Sequence, residues 1–242
     1  MSSKEMGERF LKSQYLDKGT DFSVSELTKP NYQLWVSHHT EKPKEGNKLT
    51  GFKSALGTAW HTHCETENES GVIKEFTYKK ELNGVSIGGT CDELMWRWSI
   101  NKWQIRDHKT KGVYPAKKFL GIGTKANPNP EPEQEKEQLQ LSIYRWLFSD
   151  LFPAIDDKAV IYLWCIGHSA REQFPEVSEV WLDLLPVNIV ETYIQGKINT
   201  ALGDKAPKVD CEGWMCGYCN VADSCPHNQG KEENCTKGFV SG

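Results

Sequence analysis

Alternation and helical spacing divide most of the chain between them. Val72, Lys74, Phe76 and Tyr78 alternate with their neighbours, and the run ends at Asn83-Gly84, which predicts a tight hairpin. The return strand passes through Val85, Ile87 and Gly89-Thr90-Cys91-Asp92 to Met95-Trp96-Arg97-Trp98, with Gly88-Gly89 a point where it is open to interruption. Asn101-Lys102 turns the chain into a third strand, where Trp103, Ile105, Asp107 and Lys109 share one face. The near-continuous apolar run Ala159–Ile166 predicts a buried strand, and Val180–Leu185 predicts another. Helical spacing first appears after Thr50, a plausible N-cap, in Phe52, Leu56, Ala59, Trp60 and Cys64. It returns from about Glu133 to Leu151, behind the extended Asn127–Pro132 segment, with Leu139, Ile143, Leu147, Phe148 and Leu151 as its stripe. A last helix is predicted over 188–202, with Ile189, Val190, Tyr193, Ile194 and Ile198 inward. The first fifty residues are polar and suggest a short helix or two and a loop through Lys42–Gly46. Strands alternating with helices make this an α/β chain.

Composition narrows the setting. With 242 residues, 38% hydrophobic, and nine Trp, the chain reads as globular: one domain plus a small appendage. No apolar run is long enough for a bilayer, so no membrane association is expected. The N-terminus lacks the apolar core of a secretory peptide, so a cytoplasmic protein is expected, with its eight Cys reduced or serving as ligands. A net charge of −4 leaves no broad nucleic-acid footprint. Lys109, Lys111, Lys117, Lys118 and Lys125 make a local basic patch after the third strand, which equally describes a solvated loop.

Candidate chemistry centres on Asp107-His108-Lys109. Apolar residues at Trp103 and Ile105 anchor the face, and then a carboxylate and an ammonium follow one another. A carboxylate holding a divalent cation, with Lys one pleat further on, is what phosphodiester hydrolysis needs. The bland alternative is an ion pair at a strand end. Asp92 lies on the neighbouring strand, and two such carboxylates suit one Mg²⁺ or Mn²⁺. Gly57, His61 and Glu65 stack along one helix face, where His61 reads as a metal ligand or as a His satisfied by Glu65. Gln140 and Tyr144 sit one turn apart, either reaching a common phosphate or forming the polar margin of an amphipathic helix. In the tail, Cys211-x4-Cys216-x2-Cys219-x5-Cys225-Pro226 concentrates four thiols where few apolar residues could build a core. Four thiolates suit tetrahedral zinc or a [4Fe-4S] cluster, the spacing alone leaning to zinc, with Cys235 as a substitute ligand.

Taken in order, these motifs resemble the RecB-like branch of the PD-(D/E)XK nuclease family over about residues 50–226. Gly57-x3-His61-x3-Glu65, Gly89-x2-Asp92, Ile105–Thr110 and Gln140-x3-Tyr144 resemble its successive motifs. The Cys216–Pro226 pattern is similar to that of the iron–sulfur nucleases of this branch, which include the AddB nuclease and the CRISPR-associated adaptation exonucleases. The resemblance implies a restriction-endonuclease-like mixed sheet flanked by helices over 1–205, and a small Cys-rich metal-binding segment over 206–242. It implies that His61, Asp92, Asp107 and the His108 backbone carbonyl hold Mg²⁺ or Mn²⁺. Lys109 would be the catalytic lysine, Gln140 and Tyr144 would organise Lys and phosphate, and Glu65 would support them. Lys111, Lys117 and Lys118 would meet nucleic acid. Cys211, Cys216, Cys219 and Cys225 would bind a [4Fe-4S] cluster, with structural Zn²⁺ as the alternative. Relatives take their first cluster cysteine from upstream of the His motif, where residues 1–60 hold none, so Cys211 would replace it. The expected activity is a DNA exonuclease on single strands or DNA ends, in recombination, repair or phage replication, beside a recombination or replication partner. A structure-specific endonuclease and an inert nucleic-acid-binding module are the rival expectations.

Overall fold

The computed structural model describes residues 19–40, 70–123, 127–152, 154–219, 221–222 and 225. Its six-stranded mixed sheet comprises β1 (Phe22–Ser23), β2 (Val72–Leu82), β3 (Val85–Arg97), β4 (Lys102–Gly112), β5 (Lys158–Ile166) and β6 (Val177–Asp183). Its order is β1-β3-β4-β5-β6, with β2 also pairing β3. The helices are α1 (Val24–Leu27), α2 (Asn31–His39), α3 (Val113–Phe119), α4 (Glu135–Phe148) and α5 (Val187–Leu202), followed by a 3-10 turn over Gly213–Tyr218. No helix among the described residues is long and apolar enough to cross a membrane.

The Asn83-Gly84 turn forms as predicted, with φ of 52° and 80°, the conformation a two-residue hairpin demands. β3 then runs unbroken through Gly88 and Gly89, contrary to the suspected interruption. The glycines are there for space. A Cβ on Gly88 would lie 2.6 Å from Thr20 Cγ2, and one on Gly89 2.6 Å from Val24 Cγ2 and 2.8 Å from Tyr144 Cε1. β4 and β5 are parallel and therefore need a crossover, which α3 and α4 supply.

Two compact units are present. Residues 19–28 and 70–191 form the first, around Phe22, Ile87, Leu94, Ile105, Phe119, Leu141, Leu147 and Ile161. Residues 29–40 and 192–225 form the second, so it takes in α2 and the later part of α5 as well as the Cys-bearing segment. Here the N-terminus of α2, where Pro30 offers no side-chain cap, is closed by Asp210, whose carboxylate accepts from the amides of Asn31 at 2.7 Å and Tyr32 at 2.9 Å. Trp35 Nε1 donates to the Gly203 carbonyl at 2.8 Å, and Lys197 Nζ donates to the Lys29 carbonyl at 2.6 Å.

Several expected details shift. Helix α4 is shorter than 133–151: Ile143, Leu147 and Phe148 of the expected stripe are buried, joined by Leu141, Tyr144 and Trp146, whereas Leu151 is exposed beyond its end. Ile189, expected inward, is exposed in the first turn of α5, and Val190, Ile194 and Ile198 carry its packing. The segment after β4, open to reading as a loop, is helix α3, which buries Ala116 and Phe119 three residues apart.

Candidate active site

The site forms where two strands part company. β3 and β4 pair from Arg97↔Lys102 to Glu93↔Arg106 and no further. Beyond that rung β4 stays with β5 as far as Gly112↔Ile166, while the start of β3 pairs with β1 instead. Asp92 and Asp107 are the first residues of the opened fork. The opposite edge of β3 is irregular at the same level: the β2 ladder passes from Lys74↔Glu93 to Phe76↔Cys91, and Glu75, between those rungs, adopts φ 49°. That conformation is costly for a residue with a side chain, and such irregularities re-aim neighbouring side chains.

Parting strands would strand their backbone groups, and side chains close the gap. The Asp92 carboxylate accepts from the His108 amide at 2.7 Å. The buried Cys91 thiol donates to the Glu93 carbonyl at 3.3 Å and reaches the Arg106 carbonyl at 3.8 Å, joining the two strands. Burial pushes the Cys91 thiol well above its ordinary range, and the Asp92 and Asp107 carboxylates push it further, so it stays protonated.

On the face toward α4, Asp107 is 2% exposed, and Lys109 Nζ lies 2.7 Å from its Oδ2. Burial would lower the Lys109 pKa, but Asp107 foremost, with Asp92 and Glu137, outweighs it and raises the value, so Lys109 is an ammonium. Helix α4 brings Tyr144 to the same spot. Burial raises its phenol well above the usual range, and Asp107 and Asp92 add to this, while a hydrogen bond with Gln140 opposes it. Tyr144 is thus a neutral phenol facing two carboxylates. Asp92, Asp107, Lys109, Gln140 and Tyr144 are therefore together in one place. His61 and Glu65 lie outside the described residues.

The fit to a divalent cation rests on the donors present. Two carboxylates at the mouth of the fork are hard oxygen ligands suited to Mg²⁺ or Mn²⁺. No group of three His, Cys, Asp or Glu among the described residues closes a site by itself. A backbone ligand is also at hand: a strand residue points its N–H and C=O to the same side, so the His108 carbonyl shares the fork side of its amide.

The basic patch is largely spoken for. Lys111 pairs with Glu137 at 2.7 Å, Lys117 with Glu172 at 2.6 Å, and Lys118 with Glu133 at 2.9 Å. In the second unit, Val221 packs on Tyr32 and Val36 of α2, with Trp35, Val209, Cys211, Cys219 and Cys225 around them. Burial raises the thiols of Cys211 and Cys219, and each is raised further by Cys225 beside it. Cys216 sits in the 3-10 turn.

The reverse face of β4 holds what its sequence did not announce. Gln104, Arg106 and His108 are polar where a covered strand should be apolar, and that was the available signal. Glu93 lies 3.8 Å from Arg106 and 3.4 Å from His108 Nε2, and Trp164 Nε1 donates to His108 Nδ1 at 3.3 Å. The His108 ring also stacks on Tyr162 with centroids 5.3 Å apart.

A family model of the PD-(D/E)XK nuclease superfamily matches residues 25–226. The fold and the match together define a metal-dependent nuclease of nucleic acids. The chain belongs to the PD-(D/E)XK nuclease superfamily. Among solved structures, the crystal structure of SSO0001 aligns over 93% of this chain and 96% of its own, with a TM-score of 0.59 at 16% identity, a likeness of fold. No curated protein matches the chain.

Proposed function

We infer that the protein is a DNA nuclease of the RecB-like branch that degrades DNA from ends or as single strands. The observation that carries this reading is the convergence of Asp92, Asp107 and Lys109 where β3 and β4 separate, with Tyr144 delivered from α4. Asp92, Asp107, His61 and the His108 carbonyl would hold Mg²⁺ or Mn²⁺, which when bound supplies charge neutralisation at the phosphate and a more acidic water. Lys109 presents its ammonium to the phosphate anion, and Gln140 and Tyr144 donate hydrogen bonds that orient it. Glu65 supports His61. Lys118 is the patch lysine most readily given to a DNA backbone, since an ion pair between half-exposed side chains is worth only about 0–1 kcal/mol; Lys111 and Lys117 would exchange glutamate for phosphate. Cys211, Cys216, Cys219 and Cys225 are assigned to a [4Fe-4S] cluster, which gives a brown protein when purified without air; stoichiometric zinc and no colour would replace the cluster by a structural zinc. A recombination, repair or phage-replication setting, with a partner protein from that machinery, fits such an enzyme.

The test is cleavage of 5′- and 3′-labelled single- and double-stranded DNA in Mn²⁺, with and without chelator. Progressive shortening from one end supports an exonuclease, and opening of circular single strands moves the reading to an endonuclease. Metal-independent binding with no cutting by the wild-type protein overturns it.

A further inference from the structure

The residues behind the sheet have a part in the chemistry in front of it. His108 is 8% exposed and its imidazole is held from three directions. An indole N–H can only donate, so the contact from Trp164 makes His108 Nδ1 an acceptor. The proton therefore resides on Nε2, the nitrogen that faces Glu93 at 3.4 Å. Tyr162 covers one side of the ring, and the Arg106 guanidinium lies over that same Tyr162 at 5.7 Å. Glu93 is in turn placed by Arg106 and by Lys74, its partner across the β2–β3 ladder.

The backbone of this same residue borders the fork. Its amide is taken by Asp92, and its carbonyl points to the same side, past the last rung of the β3–β4 ladder. The ladder to β5 holds this segment on its other edge, through His108↔Tyr162, and the side-chain contacts of His108 add to that hold. We propose that Glu93 and Trp164 are positioning residues: by clamping the His108 imidazole behind the sheet, they set the His108 backbone, and through its amide the Asp92 carboxylate, at the spacing a divalent cation requires. The proposal rests on the nuclease reading of the fork. Neither side chain touches metal or DNA; both act through His108. The arrangement has the logic of outer-shell partners that orient metal ligands, whose loss commonly weakens metal binding 10–100-fold. Here the oriented ligand is a backbone group rather than a ring nitrogen.

The test uses Trp164→Phe, which removes the indole donor and keeps an aromatic body, and Glu93→Gln, which keeps the shape and an amide able to hydrogen-bond. Mn²⁺ affinity is measured directly, from the electron paramagnetic resonance signal of free Mn²⁺ in the absence of DNA, so the readout does not depend on cleavage. Thermal unfolding in chelator monitors the fold, and the KM for DNA monitors substrate binding. Trp164→Phe should weaken Mn²⁺ by about ten-fold or more, with KM for DNA and the chelator melting temperature nearly unchanged. Trp164→His, which can restore a ring N–H donor, should recover part of the affinity. Glu93→Gln should weaken Mn²⁺ less than Glu93→Ala does. Wild-type Mn²⁺ affinity in Trp164→Phe and Glu93→Ala, with wild-type cleavage intact, overturns the clamp alone. A wild-type protein that neither binds Mn²⁺ nor cuts DNA overturns the clamp and the nuclease reading together.

Discussion

Replacing Gly89 by Ala tests how tightly the site is set by its packing. Gly89 lies in the middle of β3, and a methyl there would meet Val24 Cγ2 at 2.6 Å, Tyr144 Cε1 at 2.8 Å and Val24 Cβ at 3.2 Å. Comfortable carbon–carbon contact is about 3.5–4.0 Å, so roughly 1 Å of overlap must be relieved on two sides at once. Neither neighbour yields easily. Val24 is 1% exposed in α1, and the Tyr144 ring is 6% exposed and stacks on Phe148 at 5.8 Å. Overpacking of this kind costs about 1–3 kcal/mol, equivalent to a fall of about 2–4 °C in melting temperature per kcal/mol for a chain this long. Catalysis should suffer more than stability, because Tyr144 is pushed from the Asp107 side of the fork and misplacement by about 1 Å can cost on the order of 10²-fold. Three variants separate these effects in denaturant unfolding and labelled-DNA cleavage. Gly89→Ala should lose both stability and cutting. Adding Val24→Ala, which opens one side, should restore part of each. Gly88→Ala, whose methyl would meet the partly exposed Thr20 and not Tyr144, should leave the cutting rate near wild type. Wild-type cleavage by a stable Gly89→Ala protein would refute the placement of Tyr144 in the site.

Three further outcomes follow from the same geometry. Lys109→Ala should slow cleavage by about 10²–10³-fold, the usual effect of losing an anion-stabilising donor. It should also cost about 1–3 kcal/mol in chelator by leaving buried Asp107 without its 2.7 Å partner; Mn²⁺ should recover that stability in a melting assay, and a failure to recover it argues against a cation between the carboxylates. Asp210→Ala removes the cap of α2 and should cost about 1 kcal/mol, read as faster amide exchange over Asn31–His39, whereas Asp210→Asn should largely preserve protection. Tyr193 has its phenol pushed up to about 12, by burial foremost and by Asp210. Between the unfolded value of about 10 and this one, the folded state keeps a proton the unfolded state has lost, so stability falls as pH rises through that window. Tyr193→Phe should flatten that alkaline decline in melting temperature measured from pH 9 to 12.

The hairpin and the third strand were legible because their signals are local. Asn83-Gly84 dictates its own turn, and the alternation Trp103, Ile105, Asp107, Lys109 fixes which side chains share a face whatever packs on them. The pairing of Gln140 with Tyr144 was legible for the same reason, one helical turn being a fixed distance. The fork was not. Nothing in Gly89-Thr90-Cys91-Asp92 states that β4 abandons β3 after Arg106, since that depends on β1 taking the same edge of β3 while β5 holds the far edge of β4. Helix α3 escaped notice because seven residues with two lysines and a Pro carry too short a period to detect, and its helicity comes from burying Ala116 and Phe119. The burial of Leu141 and Trp146 beside the expected Ile143, Leu147 and Phe148 has a similar origin: Leu139, Leu141, Ile143, Trp146 and Leu147 are apolar around more than one side, and only contact with the sheet chooses among them. Gly89 looked like a break in a strand because glycine lowers strand propensity, whereas the fold uses its missing side chain as space for Tyr144.

The cap that Asp210 places on α2 also sets an order of events during synthesis. The carboxylate that closes Asn31 and Tyr32 lies 179 and 178 residues further along the chain. At a ribosomal rate of about 5–20 residues per second, the start of α2 emerges roughly 10–35 s before the group that completes it. Residues 70–191 contain all of β2 to β6 and are made within that interval, so the sheet can assemble while α2 still waits. The nascent chain therefore carries α2 without that cap, and without Val221 against Tyr32 and Val36, until those later residues have been made. For this protein, a helix that precedes β2 in the chain is completed only after β6 has been made.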